Sequence, residues 1–204
     1  MPDSWCAQSK FPDWTTIERE MWSACQRVGL GNPLRIRVTI GHDVLPHAQA
    51  FPLERMPPYP IQLVFDDRAT DYSDPFMRYK TTHRTTYDTA RLRHGATLRP
   101  SDNEQDPPFD VILFNDRNQV TETTIANIAF KFDDSDTTWL TPSSECGLLE
   151  GVQRQEMLEN KELREEVIQV TRVEQAAARG SLQIICLNGV RGVFPARLRT
   201  TERR

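Results

Sequence analysis

Six short apolar runs in the last two thirds of the chain set the tightest limit on its fold: "IQLVF", "DVILFND", "IANIAFKFDD", "TTWLTP", "EVIQV" and "LQIICLNGVRGVFPARL". They are short, rich in β-branched and aromatic residues and bounded by turn formers. They predict strands, the last one followed by a turn. Between them, residues 80–94, "GVQRQEMLENKELREEV" and "TRVEQAAARG" predict helices. Thr81 or Thr82 is the expected cap of the first of these, with Tyr87, Ala90 and Leu92 available to pack. Strands and helices mix without a regular βαβ alternation, which makes α+β the expected class.

Nearer the start, "WTTIEREMWSACQRVG" places Ile17, Met21, Trp22, Cys25 and Val28 at helical spacing. Thr15 or Thr16 is a candidate cap, and Gly29 or Gly31 a candidate end. "LRIRVTIGHD" then alternates Leu34, Ile36, Val38 and Ile40 with Arg35, Arg37 and Thr39, the pattern of a half-buried strand. The proline-punctuated "FPLERMPPYPIQLVFDD" carries the chain to a second region, so the expected division is 1–65 and 66–204. "HGATLRPSDNEQDPPF", polar and with three prolines, predicts a surface loop.

The 204 residues suffice for one generous domain or a domain and a half, and 38% hydrophobic content supports a modest core. Mean hydropathy is -0.58 and the pI is near 5.6. With a net charge of -4, these values argue against nucleic acid as a partner. No apolar run approaches the roughly 18 residues that cross a bilayer. The opening "MPDSWCAQSKFPDW" lacks the basic and apolar regions of a secretion signal. Cys6, Cys25, Cys146 and Cys186 are scattered without a CxxC pair, which points to reduced thiols in the cytoplasm rather than structural zinc.

Only four of the 25 basic side chains are lysines, and three of them have ordinary settings. Lys10 is in the N-terminal tail, Lys131 on a polar-edged strand and Lys161 in a charged helix. Lys80 instead follows an aromatic and leads a run of threonines, in "FMRYKTTHRTTYDTAR".

Four blocks in order carry a resemblance: "YKTTHRTTYDTAR", "DRNQVTETTIANIAF", "WLTPSSECGLLEGVQR" and "LNGVRGVFPARL". Together they resemble the catalytic domain of the fold-type IV, or class IV aminotransferase, enzymes that use pyridoxal 5'-phosphate (PLP). Within that group the 4-amino-4-deoxychorismate lyases are most alike. The strand motif E-x-x-x-x-N-[IL] is matched by Glu122, Asn127 and Ile128. The loop motif G-L-L-x-G-V-x-R is matched by Gly147, Leu148, Leu149, Gly151, Val152 and Arg154. The turn motif N-x-V-R-G is matched by Asn188, Val190, Arg191 and Gly192.

The resemblance implies a D-amino-acid-aminotransferase-like fold, with a large pseudo-barrel domain and a small N-terminal α/β domain that is truncated here. It implies PLP as cofactor, a small amino substrate and a homodimer. Lys80 becomes the amine that bonds the PLP aldehyde, a role only a lysine side chain can fill. Glu122 becomes the carboxylate on the ring nitrogen, where charge pairing keeps that nitrogen protonated. Gly151 and Val152 offer helix-start amides to the phosphate. Asn127 is expected beside the cofactor. Gly189 stands where the family commonly presents a hydroxyl, so only its backbone amide is on offer. Arg191 either meets a substrate carboxylate or braces its turn. Arg84 matches an arginine often found four residues after the family lysine, its role left open between structure and chemistry; Tyr87 is expected to pack, and His83 and His94 to be exposed. No arginine precedes Arg19, so a phosphate-binding arginine of the small domain has no counterpart. The implied reaction eliminates pyruvate from 4-amino-4-deoxychorismate to give 4-aminobenzoate, a step of folate synthesis. The alternatives are a class IV aminotransferase acting on branched-chain or D-amino acids, and a non-catalytic paralogue.

Overall fold

The computed structural model describes residues 11–199. Cys6, Lys10 and the signal-free reading of the first ten residues lie outside that range. The chain divides into two compact units, the first ending at Arg55 and the second beginning at Met56.

In the first unit, α1 (Trp14–Val28) packs on an antiparallel pair, β1 (Leu34–Ile40) and β2 (Pro46–Pro52). The helix cap is Asp13, whose carboxylate accepts the Thr16 amide at 2.7 Å, rather than either threonine. An aspartate placed before the first turn meets the unpaired amides with a full charge, a stronger acceptor than hydroxyl oxygen. Ala24 and Cys25 are buried, whereas Trp22, on the apolar stripe of the sequence, is exposed. Strand β2, "PHAQAFP", is absent from the sequence reading because prolines bound it at both ends. Prolines are tolerated at strand ends because a missing N–H there breaks no interior ladder bond.

The second unit is built on one eight-stranded mixed sheet. In chain order the strands are β3 (Ile61–Phe65), β4 (Asp110–Phe114), β5 (Val120–Thr123), β6 (Asn127–Lys131), β7 (Trp139–Pro142), β8 (Leu163–Glu166), β9 (Gln183–Asn188) and β10 (Gly192–Leu198). Their spatial order is β5-β4-β3-β10-β9-β6-β7-β8. Strand β3 pairs in parallel with both β10 and β4, which places it in this unit rather than with the region before residue 66. The sheet curls until its ends meet. Val120 N–H donates to Ile168 O at 2.8 Å, Val170 N–H donates to Asn118 O at 2.9 Å, and Gln119 and Gln169 form a bridge. Closing the edges in this way removes unpaired backbone groups that would otherwise seek another strand.

Among the described residues three α-helices cover the sheet: α2 (Thr85–His94), α3 (Val152–Glu159) and α4 (Val170–Arg179). Both sheet faces are buried, and the alternation along each strand sorts its residues between them. Ile112, Ile128, Phe130, Ile184 and Cys186 point into the main core with Val173 and Ala176 of α4. Val111 and Leu113 pack instead with Tyr87 and Ala90 of α2. Ala129, Ile185 and Leu187 pack with Met157 of α3.

Two expected helices are shorter. α2 begins at Thr85 rather than residue 80, because Thr81 uses its hydroxyl on the His83 amide at 3.2 Å and forms a local turn. α3 ends at Glu159, and Lys161 takes a φ of 61°. The charged "LREE" that follows is strand β8, paired in parallel with β7, and it buries Leu163 against Met157. The apolar run "LQIICLNGVRGVFPARL" is a two-stranded hairpin, β9 and β10, rather than one strand and a turn. Among the described residues no helix is long and apolar enough to cross a membrane. Cys25, Cys146 and Cys186 are free and buried.

Candidate active site

Strand β5 lies at one end of the spatial strand order, and its third residue is Glu122, only 3% exposed. Its two carboxyl oxygens are held by different elements. Tyr87 Oη, from the first turn of α2, donates to Oε1 at 2.8 Å. The Leu149 amide, in the glycine loop, donates to Oε2 at 3.2 Å. Burial nevertheless dominates and pushes the carboxyl up to about 8, against the lowering by Tyr87, the Leu149 amide, Lys80 and Arg84. A buried acid whose hydrogen bonds and neighbouring charges do not offset its desolvation is a site that favours a cation beside it.

Lys80 lies in the segment just before α2. It is exposed on its solvent side, yet the protein around it lowers its pKa, chiefly by desolvation and then by repulsion from Arg84, while Glu122 opposes both. Lys80 and Glu122 thus act on each other electrostatically, and the amine is biased towards its neutral, nucleophilic form. Arg84 is fixed. It donates to Thr124 O at 2.6 Å, and its guanidinium lies 4.7 Å from the centre of the Tyr87 ring.

The glycine loop joins this cluster to the start of α3. Asn127 spends its amide on the loop: Nδ2 donates to Leu149 O at 2.7 Å, and Oδ1 accepts the Gly151 amide at 3.2 Å. A Cβ on Gly151 would sit 2.4 Å from Asn127 Oδ1, so only glycine permits this approach. Gly151 caps α3, and the amides of the first turn, Val152 to Arg154, have no preceding helical carbonyl to bond. Such a turn favours an anion. Gly189, in the β9–β10 turn, is close enough that a Cβ there would meet Val152 Cγ2 at 2.9 Å. Asn188 ties that turn to the β5–β6 connection through Ile125 O at 3.3 Å.

Gly147, at the other end of the loop, has φ of 88°, and a Cβ there would lie 2.5 Å from Tyr72 Cγ. Tyr72 in turn shares a 2.6 Å hydrogen bond with Thr121, the neighbour of Glu122. Gly147→Ala is therefore expected to cost roughly 2–5 kcal/mol, from backbone strain plus displacement of a buried ring. A lower urea midpoint with unchanged slope will show it.

The structure thus brings together Lys80 and Glu122 at one end and Gly151, Val152 and Gly189 at the other, with Asn127 bracing the loop between. Arg191 is half-buried, and its backbone amide donates to Asn188 Oδ1 at 2.8 Å, which braces the turn. Two residues differ from expectation. Tyr87 packs, as its helical spacing suggests, but also directs its hydroxyl at Glu122; spacing alone carries no signal for that bond. His94 is not simply exposed: its Nε2 lies 3.0 Å from Asp66 Oδ1, which Arg93 also contacts, so α2 ends on an ion cluster. A cleft of about 400 Å³ beside that cluster, lined by Asp66, Thr70, Thr85 and Arg93, includes neither Lys80 nor Glu122.

A family model described as amino-transferase class IV matches residues 5–198. A protein of Schizosaccharomyces pombe named "Putative aminodeoxychorismate lyase" is 29% identical over 157 residues, which are 76% of this chain and 62% of that protein. The chain therefore spans less than two thirds of that relative's length. Among solved structures, a "Putative amino-acid aminotransferase" from Mesorhizobium loti has a TM-score of 0.76 at 26% identity, over 91% of this chain and 82% of that one. A "Putative 4-amino-4-deoxychorismate lyase" from Legionella pneumophila shares the fold, with a TM-score of 0.65 at 19% identity over 86% and 65% of the two chains. The curled mixed sheet with its covering helices is the α+β fold of the fold-type IV enzymes. With its matched motif blocks and a family model spanning nearly its whole length, the chain belongs to the class IV aminotransferase family of enzymes.

Proposed function

We propose that the protein is a PLP-dependent lyase that converts 4-amino-4-deoxychorismate to 4-aminobenzoate and pyruvate. The observation that carries the reading is a buried Glu122, held by the Tyr87 hydroxyl and the Leu149 amide within electrostatic reach of Lys80. The residues present fit PLP at both of its ends. Glu122 is a buried acid that a protonated ring nitrogen would neutralise. The Gly151 approach to Asn127 leaves no room for a Cβ at the start of α3, where a phosphate finds unpaired amides.

When bound, PLP supplies a pyridinium that draws electrons away from a carbon next to the substrate nitrogen. The remaining work falls to the chain. Val152 and its neighbours in the first turn of α3, with Gly189, orient the phosphate. Glu122 keeps the ring nitrogen protonated. Lys80 would remove the proton from the substrate carbon that bears the amino group. The carbon–oxygen bond to the enolpyruvyl group then breaks and the ring becomes aromatic. The Lys80 ammonium returns the proton to the departing enolpyruvate, which leaves as pyruvate. The lowered amine pKa favours this exchange, since desolvation and the Arg84 charge make the proton easier to release.

Incubation with 4-amino-4-deoxychorismate is expected to release 4-aminobenzoate and pyruvate in equal amounts. The Mesorhizobium loti relative supports a second reading, amino-group transfer. Glutamate formed from leucine and 2-oxoglutarate, without 4-aminobenzoate, would favour it. The proposal carries with it a homodimer and a cytoplasmic setting, the latter in keeping with three free, buried thiols. A monomer by light scattering would contradict the first.

Gly151→Ala tests the phosphate end. The added methyl must displace Asn127 Oδ1 and so loosens the Leu149–Gly151 segment. The expected result is PLP binding about ten- to hundredfold weaker, the loss of a charge-assisted contact. Titration of the visible cofactor band measures it.

A further inference from the structure

We infer that Tyr87 is a positioning residue, whose hydroxyl orients the Glu122 carboxylate to receive a cationic ring nitrogen; the inference rests on the PLP reading above. The terminal torsion of a glutamate is broad and nearly two-fold, so burial alone does not fix the plane of its carboxylate. Here one donor per oxygen does so: Tyr87 Oη at 2.8 Å on Oε1 and the Leu149 amide at 3.2 Å on Oε2. These donors come from a helix and a loop that are far apart in sequence. Tyr87 is itself held. It is 3% exposed, its ring packs with Met77 and Val111, and the fixed Arg84 guanidinium lies over its face.

The ionisable groups that face Glu122 are Lys80, Arg84, Tyr87 and Tyr72. Burial and the Glu122 charge raise the Tyr87 phenol far above its ordinary range, so it remains a proton donor at every working pH. A neutral donor favours the ionised acid, the form that can pair with a pyridinium. Phenylalanine keeps the packed ring and removes only the donor.

The test is Tyr87→Phe, read first without cofactor. Protein carrying ¹³C-labelled glutamate is titrated by NMR, with the Glu122 carboxyl assigned through Glu122→Gln. The wild-type midpoint is expected at about 8. In Tyr87→Phe it should rise by about 1–2 pH units, the effect of one lost hydrogen bond to a charged group. Near-UV circular dichroism should be unchanged. A second arm compares PLP with a carbocyclic analogue that lacks the ring nitrogen. The variant should bind PLP about tenfold more weakly and the analogue as well as wild type does. An unmoved midpoint, or equal losses for the two ligands, overturns the role of Tyr87 while leaving PLP chemistry intact. If the wild-type chain binds no PLP, the functional reading fails, and the ring-nitrogen role of Tyr87 fails with it.

Discussion

Lys80→Ala is expected to abolish the visible band of the PLP-loaded protein and to lower turnover by about a thousandfold or more. The size follows from what the proposed mechanism would lose: the covalent anchor of the cofactor and the base that moves the substrate proton. No other described lysine can substitute. Lys131 lies on β6 with its ammonium 5.1 Å from the centre of the Trp139 ring, and Lys161 follows α3 in its own turn. Stability should change little, by about 0.5 kcal/mol or less, because the side chain is exposed and crowded by the like charge of Arg84. Urea unfolding without PLP separates the two effects. A band that survives the substitution would remove Lys80 from the chemistry.

Glu122→Gln should act in opposite directions with and without cofactor. In the folded protein the carboxyl holds its proton up to about pH 8, against 4.5 for an ordinary glutamate. The folded state therefore binds more protons between those values, and stability falls as pH rises through that window. Below 4.5 the contribution is fully present, and above about 8 it is lost. Glutamine has no proton to lose. The variant without cofactor should match wild type at pH 4 and exceed it by a few kcal/mol at pH 9, with the difference opening between about 4.5 and 8. With PLP the order reverses, since only the carboxylate pairs with a charged ring nitrogen. Cofactor binding should stabilise the variant less, and turnover should fall by about a hundred- to thousandfold. Equal stability of the two proteins at pH 9 would mean that Glu122 is not buried as an acid.

The core strands were legible because both of their faces are buried in apolar clusters. Val111 and Ile112, or Ala129 and Phe130, face opposite clusters, so each strand reads as a short, wholly apolar run. Strand β8 was not legible. Its glutamates and arginine continue the charge pattern of α3, and only the turn at Lys161 and the partner β7 make it a strand. The start of α2 was obscured by a contest between threonine side chains and the helix backbone, which Thr81 resolves by bonding His83. At the site, Lys80, Glu122, Gly151 and Gly189 came from motif order. The specific work of Asn127 on the loop and the Tyr87–Glu122 bond did not. Both depend on elements distant in the chain, 22 residues from Asn127 to Leu149 and 35 from Tyr87 to Glu122. A tyrosine at helical spacing looks the same whether its hydroxyl meets water or a buried acid.

The core proposition is that one particular amine reaches the PLP aldehyde. Reduction of the PLP-treated protein with borohydride, followed by proteolysis and mass spectrometry, fixes the cofactor to whichever lysine it had joined. Stoichiometric labelling at Lys80, lost in Lys80→Ala and weakened in Glu122→Gln, is the expected outcome. Labelling spread over Lys10, Lys131 and Lys161, or none above that of the unfolded chain, would contradict it.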